Sequence, residues 1–127
     1  MIALTEDKRM LGYGVMTPYS NIFCFATTRR EGFSKGDYAS FNCTPYTGDD
    51  AESVRRNQEL LCNSMPQPPK ELVIPFQTHG TKVEVIDEKY LNATSDERTV
   101  MLQGVDALIT KEPGCCICIS TADCIPI

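Results

Sequence analysis

The chain has 127 residues, of which 23% are charged and 42% hydrophobic, as is typical of one globular domain with its own core. Twelve Lys and Arg stand against 17 Asp and Glu, and this net charge of −5 argues against a nucleic-acid-binding protein. No apolar run approaches the roughly 20 residues that cross a bilayer, and the charged first ten residues do not resemble a secretory signal. We therefore expect a cytoplasmic protein that binds neither nucleic acid nor membranes, with its seven cysteines reduced.

The first elements predicted in chain order are a strand and a loop. Residues 21–28 (NIFCFATT) are aromatic and β-rich, which predicts a largely buried strand. Residues 29–42 are rich in Gly, Ser and charge, so we expect an exposed loop that returns to the core at Phe41.

A helix is predicted next. Asp49, with Glu52 three residues later, resembles a capping box and predicts the helix N-cap. One face of the helix carries three apolar side chains at helical spacing, and the prolines that begin at Pro66 end it. The apolar residues of that face are Val54, Leu61 and Met65.

The second half of the chain is predicted to be mainly strands separated by one polar stretch. Residues 87–103 are mostly polar and charged and predict a surface excursion, while the predicted strands are 72–76, 82–86, 105–110 and 115–121. Helix and strand segments mix without a βαβ order, which predicts an α+β fold with mixed or antiparallel sheets flanked by helices. The sequence stops on Ile125-Pro126-Ile127 as a further strand begins. This favours an incomplete domain lacking its C-terminal part, and the alternative is a last strand that ends abruptly.

Few side chains could carry chemistry. His79 is the single histidine and lies in a polar turn between two predicted strands, where it is either functional or an ordinary exposed turn residue. Cys124 closes a turn after the last strand. A zinc ion would accept both, and a Cys–His nucleophilic pair is the other reading, but only the fold could bring such distant residues together.

The cysteines of the last predicted strand are a weaker candidate. Strand alternation places Cys116 and Cys118 on one face and Cys115 on the other. This pattern fits a soft-metal clamp or buried apolar filler, and we favour filler. At the start of the glycine-containing loop, Arg29 is suited to clamp a phosphate or carboxylate, or it is a solvated surface residue.

Three stretches together resemble a known family. They are TTRREGFSKGDYASFN, followed by GDD and a helix that contains Asn57; then PFQTHGTKVEVI; then GVDALITKEPGCCICISTADCIPI. In this order they resemble the laccase-domain, or polyphenol oxidase, family, over roughly residues 20–127. Members of this family are also described as zinc-dependent purine nucleoside phosphorylases with adenosine deaminase activity.

The resemblance implies one laccase-like α+β domain over residues 1–127 that lacks its C-terminal part. It implies that His79 and Cys124 are zinc ligands, and that the third ligand is a later histidine in a His-Ala-Gly-Trp-like segment beyond this sequence. Arg29 would contact an anion and Asn42 would hydrogen-bond substrate. The implied substrates are a purine nucleoside and phosphate, and whether the chain forms a homo-oligomer is left open.

Two alternatives and two departures from the family accompany this interpretation. Copper-dependent phenol oxidation ranks lower, because one histidine and one turn cysteine do not make a multi-histidine copper cluster. A non-catalytic binding or assembly module is the alternative from another class. Glu31 stands where the family commonly has glycine, and Gln58 stands where it commonly has arginine.

Overall fold

A computed structural model describes residues 1–121 of the chain. The chain divides into two compact units, Met1–Pro66 and Gln67–Ile127. Three of the four predicted site residues lie in the described part, and the fourth, Cys124, lies outside it.

The first unit contains a small antiparallel sheet. Its strands are β1 (Ile2–Ala3), β2 (Met10–Gly12) and β3 (Phe25–Thr27), in that order. The strand predicted over 21–28 is therefore shorter than expected. It is also not largely buried, since β3 is half-buried and Ile22 and Phe23 just before it are 50% and 42% exposed. The cause is that pairing with β2 extends over three residues only, a limit that composition does not encode.

The helix of this unit, α1, spans Ala51–Asn63. Its N-cap is Asp50, whose carboxylate accepts from the Ser53 N–H at 2.9 Å, so the predicted cap at Asp49 is wrong by one residue. Asp49 instead accepts from the Ser34 hydroxyl at 2.6 Å. The predicted apolar face is confirmed, since its three members, Val54, Leu61 and Met65, are all buried. Phe41 is buried as well, which confirms that the loop returns to the core.

The second unit is built from parallel strand pairs. β4 (Glu71–Val73) pairs with β7 (Cys115–Ile117), and β5 (Lys82–Ile86) pairs with β6 (Val105–Thr110). The bounds predicted for β5 and β6 are confirmed. β4 and β7 are shorter than the predicted strands 72–76 and 115–121.

The surface excursion predicted at 87–103 is confirmed in that most of its residues are exposed, but its two helices were not predicted. It contains α2 (Glu88–Asn92) and α3 (Ser95–Met101), the second begun by a capping box between Thr94 and Glu97. Tyr90 and Leu102 pack in a core cluster with Val73 and Ile86. Because parallel neighbours need a long crossover, these helices connect β5 to β6, and the expected lack of any βαβ order fails in this unit.

The predicted class, a mixed α+β fold with antiparallel and parallel sheets and flanking helices, is confirmed. None of the helices within residues 1–121 has the length and apolar character needed to span a membrane.

Candidate metal centre

The turn that carries His79 is fixed by one carboxylate. Asp106, the second residue of β6, accepts hydrogen bonds from three successive backbone N–H groups, those of Thr78 (3.3 Å), His79 (2.9 Å) and Gly80 (2.9 Å). These bonds, that of Gly80 foremost, hold the pKa of Asp106 below its usual range, because they stabilise the ionised carboxylate. These hydrogen bonds thereby connect the turn between β4 and β5 to strand β6.

His79 itself has an unusual backbone. Its φ is 59°, in the left-handed region that costs a non-glycine residue about 1–2 kcal/mol. The bond from its own N–H to Asp106 helps to offset this cost. The side chain is exposed, so the fold presents an accessible imidazole on a turn whose backbone is constrained.

A second contact joins this turn to the segment that follows β7. The Gln77 side-chain amide donates to the Ser120 carbonyl at 3.2 Å, and its oxygen accepts from the Ser120 N–H at 2.6 Å. The Gln77 side chain therefore makes to the Ser120 backbone the two hydrogen bonds that a residue on a neighbouring strand would make. Ser120 precedes Cys124 by only a few residues, so the described chain ends beside the turn that carries His79.

The cysteines in β7 and Cys118 just after it alternate as predicted, with Cys116 and Cys118 on one face. The Sγ atoms of Cys116 and Cys118 lie 3.6 Å apart, and neither these thiols nor Cys115 is fully buried. The hydrogen bond between Cys116 and Cys118 lowers the pKa of Cys116, whereas burial raises the pKa of Cys115. Within residues 1–121 no three His, Cys, Asp or Glu side chains converge on one point where a metal ion could be held.

The two remaining predicted residues lie in the first unit. Arg29 is exposed, and its Nε donates to the Ala39 carbonyl at 2.9 Å while Nη2 approaches the Asp37 carbonyl at 3.4 Å. The guanidinium thus bridges the two ends of its own loop. No carboxylate in the described chain forms an ion pair with it.

Both amide atoms of the Asn42 side chain, Nδ2 and Oδ1, form hydrogen bonds with residues 44–49. Its Nδ2 donates to Asp49 at 3.0 Å and to Thr47 at 3.1 Å, and its Oδ1 accepts from the Thr44 N–H at 3.2 Å. With Ser34, it also lowers the pKa of the Asp49 carboxyl by donating to it. In this structure Asn42 therefore shapes the loop.

The residue that holds the 29–42 loop by hydrogen bonds from helix α1 was not predicted. Asn57 of α1 is 0% exposed and accepts from the Phe33 N–H at 2.8 Å. Its Nδ2 lies within hydrogen-bond distance of Ser34 Oγ (2.9 Å) and of the Ser40 (3.2 Å) and Asn42 (2.7 Å) carbonyls. An amide on the apolar face between Val54 and Leu61 was the signal that could have identified it, because buried amides are retained for their hydrogen bonds.

Asp106 and Gln77 were also missed as organising residues. An acid at the start of the otherwise apolar strand 105–110 was the available signal for Asp106. Its partners come from a different part of the chain, however, so the sequence could not identify what it binds.

The fold and these contacts define a mixed α+β protein with a candidate metal-binding turn at the edge of a parallel strand pair. The family described as multi-copper polyphenol oxidoreductase laccase matches residues 23–127, and the chain belongs to it.

Three relatives illustrate the similarity. A protein named purine nucleoside phosphorylase from Bacteroides thetaiotaomicron is 63% identical over 127 residues, which are all of this chain and 47% of that protein. Adenosine deaminase RL5, from an unknown prokaryotic organism, is 40% identical over 103 residues, or 81% of this chain and 39% of that protein. The crystal structure of YlmD from Geobacillus stearothermophilus matches with a TM-score of 0.71 and 29% identity, over 84% of this chain and 40% of that one. The chain thus spans less than half the length of these relatives.

Proposed function

We propose that this chain supplies two metal ligands and one loop to a zinc-dependent purine nucleoside phosphorylase. The loop, residues 29–42, would bind an anion and is called the anion-binding loop below. The ligands are His79 and Cys124. The observation that carries the proposal is the pair of hydrogen bonds between Gln77 and Ser120. They hold the segment that leads to Cys124 beside the turn that presents His79, and four residues of chain reach at most about 14 Å.

The residues fit a zinc ion by their chemistry. Imidazole nitrogen and thiolate sulfur are donors that zinc prefers, and the His79 imidazole is exposed on a turn whose backbone Asp106 fixes. A catalytic zinc takes three protein ligands and keeps one position for water or substrate. The family resemblance implies that the third ligand is a histidine. Since the chain contains one histidine, we propose that this ligand comes from a segment equivalent to the part of the relatives outside the aligned region.

The reaction proposed is phosphorolysis of adenosine or inosine. A hydrogen phosphate oxygen attacks the anomeric carbon as the glycosidic bond breaks. The purine nitrogen takes up the proton that the phosphate gives up, and the products are the free purine and ribose 1-phosphate. Zinc bound at these residues would supply positive charge that orients and partly neutralises phosphate, or would activate a water molecule. The protein must also hold the phosphate in line with the breaking bond.

Arg29 suits the phosphate. A guanidinium has five N–H donors, and its bonds to the Ala39 and Asp37 carbonyls fix its direction while leaving donors for an oxyanion. We assign nucleoside binding to Asn42, whose Nδ2 would exchange the bond to Thr47 for one to a substrate hydroxyl.

A fusion protein tests the proposal. Residues 1–127 are joined to the remaining part of the Bacteroides thetaiotaomicron relative, which is 63% identical over this chain. We expect zinc to co-purify and adenine or hypoxanthine to be released from adenosine or inosine only when phosphate is present. His79→Ala and Cys124→Ser should remove both the zinc and the activity, whereas Arg29→Lys should raise the KM for phosphate and leave the zinc content unchanged.

Zinc-loaded fusion protein that released no base in the presence of phosphate would refute the phosphorylase assignment. Release of base that survived both ligand substitutions would refute the assigned site. A matched control is Cys24→Ser, which changes a cysteine outside the proposed site and should leave zinc and activity unchanged.

Adenosine deamination is the second candidate, because a relative that is 40% identical carries that name. The same preparation assayed for inosine formation from adenosine without phosphate distinguishes it. Copper-dependent phenol oxidation, which the family's description suggests, would be favoured by retained copper together with oxidation of phenols. If the fusion protein neither held a metal nor turned over any of these substrates, the non-catalytic module would be the better interpretation.

A further inference from the structure

The two thiols at the end of β7 form a cluster that the proposed reaction does not use. Cys116 and Cys118 point to the same side of the strand, and their Sγ atoms are 3.6 Å apart. Both side chains are half-buried, so the pair remains accessible from solvent. Buried apolar filler, the interpretation favoured for this segment from its sequence, fits Cys115, which packs against the core cluster, whereas Cys116 and Cys118 are only half-buried.

The sulfur separation suits one class of cation. A zinc–sulfur bond is about 2.3 Å long, so an ion bonded to both sulfurs at 3.6 Å would subtend an S–metal–S angle of about 103°. That angle is close to the tetrahedral value that zinc adopts. A linear two-sulfur ion with bonds of that length would need the sulfurs about 4.6 Å apart.

A disulfide fits the same pair less well. Strand residues two apart have Cα atoms about 6.6 Å from each other, which is near the upper end of the roughly 4.4–6.8 Å that disulfides span and above the 5.5–6 Å that they favour. The Cys118 N–H donates to the Val73 carbonyl at 2.9 Å, so the backbone at Cys118 continues the pairing with β4. A bridging cation leaves this pairing in place, whereas a disulfide would pull against it.

The pKa shifts of the thiols also distinguish Cys116 from Cys115. The hydrogen bond between Cys116 and Cys118 lowers the pKa of Cys116, which favours the thiolate that a metal needs. Cys115 lies on the other face of β7, and burial raises the pKa of its thiol. Cys116 is therefore the thiol of this strand that is favoured as a thiolate, and the Cys118 sulfur lies 3.6 Å from it on the same face.

We propose that Cys116 and Cys118 form a two-thiolate site for a divalent cation of the zinc class, distinct from the one at His79 and Cys124. Each thiol gives up its proton to solvent when the cation binds, and water completes the tetrahedron. This inference does not depend on the phosphorylase proposal.

The test uses the full 127-residue chain, reduced and free of oxygen, with His79→Ala and Cys124→Ser already introduced. Zn²⁺ binding is measured against a chromophoric chelator, and Co²⁺ serves as the spectroscopic probe. We expect about one equivalent of either ion. Cobalt should show the strong visible bands of a tetrahedral site and a near-ultraviolet band from thiolate ligands.

Cys116→Ser and Cys118→Ser should each weaken binding by about tenfold or more, while Cys115→Ser, the matched control on the opposite face, should leave it unchanged. Circular dichroism confirms that each variant is folded. Absence of cobalt–thiolate absorption, or equal loss of binding in Cys115→Ser, would overturn the proposal. Failure to bind either ion, together with loss of two mass units from the peptide that carries both cysteines after exposure to a mild disulfide oxidant, would do so in favour of a redox pair.

Discussion

Replacing Asn57 with leucine tests how the anion-binding loop is held. Leucine has nearly the same size, so the change removes hydrogen bonds without leaving a large cavity. It would leave the Phe33 N–H and the Asn42 carbonyl without the partner they have in this structure, while the Ser40 carbonyl still accepts from the Ser34 N–H at 2.9 Å. At about 1 kcal/mol for each half-buried group that loses its partner, we expect the free energy of unfolding to fall by about 2 kcal/mol.

The assay is urea unfolding followed by far-ultraviolet circular dichroism, together with hydrogen exchange of the Phe33 amide. Exchange at Phe33 should accelerate because its acceptor is gone, while amides of the second unit, such as that of Val85, serve as an internal reference.

The matched control is Gln58→Leu, one residue further along the same helix. Gln58 is half-buried, and its Nε2 donates to the Cys43 carbonyl at 2.8 Å. Loss of this bond should cost about 1 kcal/mol. If Asn57→Leu were no more destabilising than Gln58→Leu, and exchange at Phe33 were unchanged, the role given to the buried amide would be refuted.

Three further predictions concern the first unit. Glu31 has a φ of 57°, so Glu31→Gly should raise the free energy of unfolding by about 0.5–1 kcal/mol in thermal melts. Glu31→Ala, which keeps the strained backbone, should give no such gain. The lowered pKa of Asp49, caused first by the Ser34 hydroxyl and then by Asn42, implies stabilisation that is complete above its unfolded pKa of about 3.8 and is lost as the pH falls through the folded value. Asp49→Asn should therefore flatten the acid side of the stability profile, and an unchanged slope would contradict this. Burial raises the pKa of Cys43 to about 12, so iodoacetamide at pH 8 should label this thiol slowly in the folded chain, as measured by peptide mass mapping.

The elements that the sequence predicted well are those whose own residues define them. α1 has an apolar face and a proline stop, and β5 and β6 have clear alternation and turn signals, so their positions could be read from local pattern. The N-cap was misplaced because two adjacent aspartates offer almost the same capping pattern, and only the Ser53 bond distinguishes them.

The errors arise where distant parts of the chain meet. The short helices at 88–92 and 95–101 carry few apolar residues, and they are stabilised by burial of Tyr90 and by Arg98 bound to Glu71, a partner on β4. Parallel pairing of β5 with β6 also depends on this crossover. A local pattern contains none of these contacts.

The candidate site shows the same division. His79 was predicted as a ligand because it is the single histidine in a polar turn and matches the family motif, and Cys124 because of that motif, and both stay predictions. The residues that hold the turn, Asp106 and Gln77, act through pairings with partners far away in sequence, so their roles became visible only in the structure.

The most direct test of the account is the coordination shell of zinc in the fusion protein, measured by X-ray absorption at the zinc edge in a Cys116→Ser/Cys118→Ser background. We predict nitrogen neighbours at about 2.0–2.1 Å and one sulfur at about 2.3 Å. The sulfur shell should disappear in Cys124→Ser, and the imidazole scattering should diminish in His79→Ala. A shell of oxygen atoms alone, or one that neither substitution alters, would contradict the claim that these two residues share one cation.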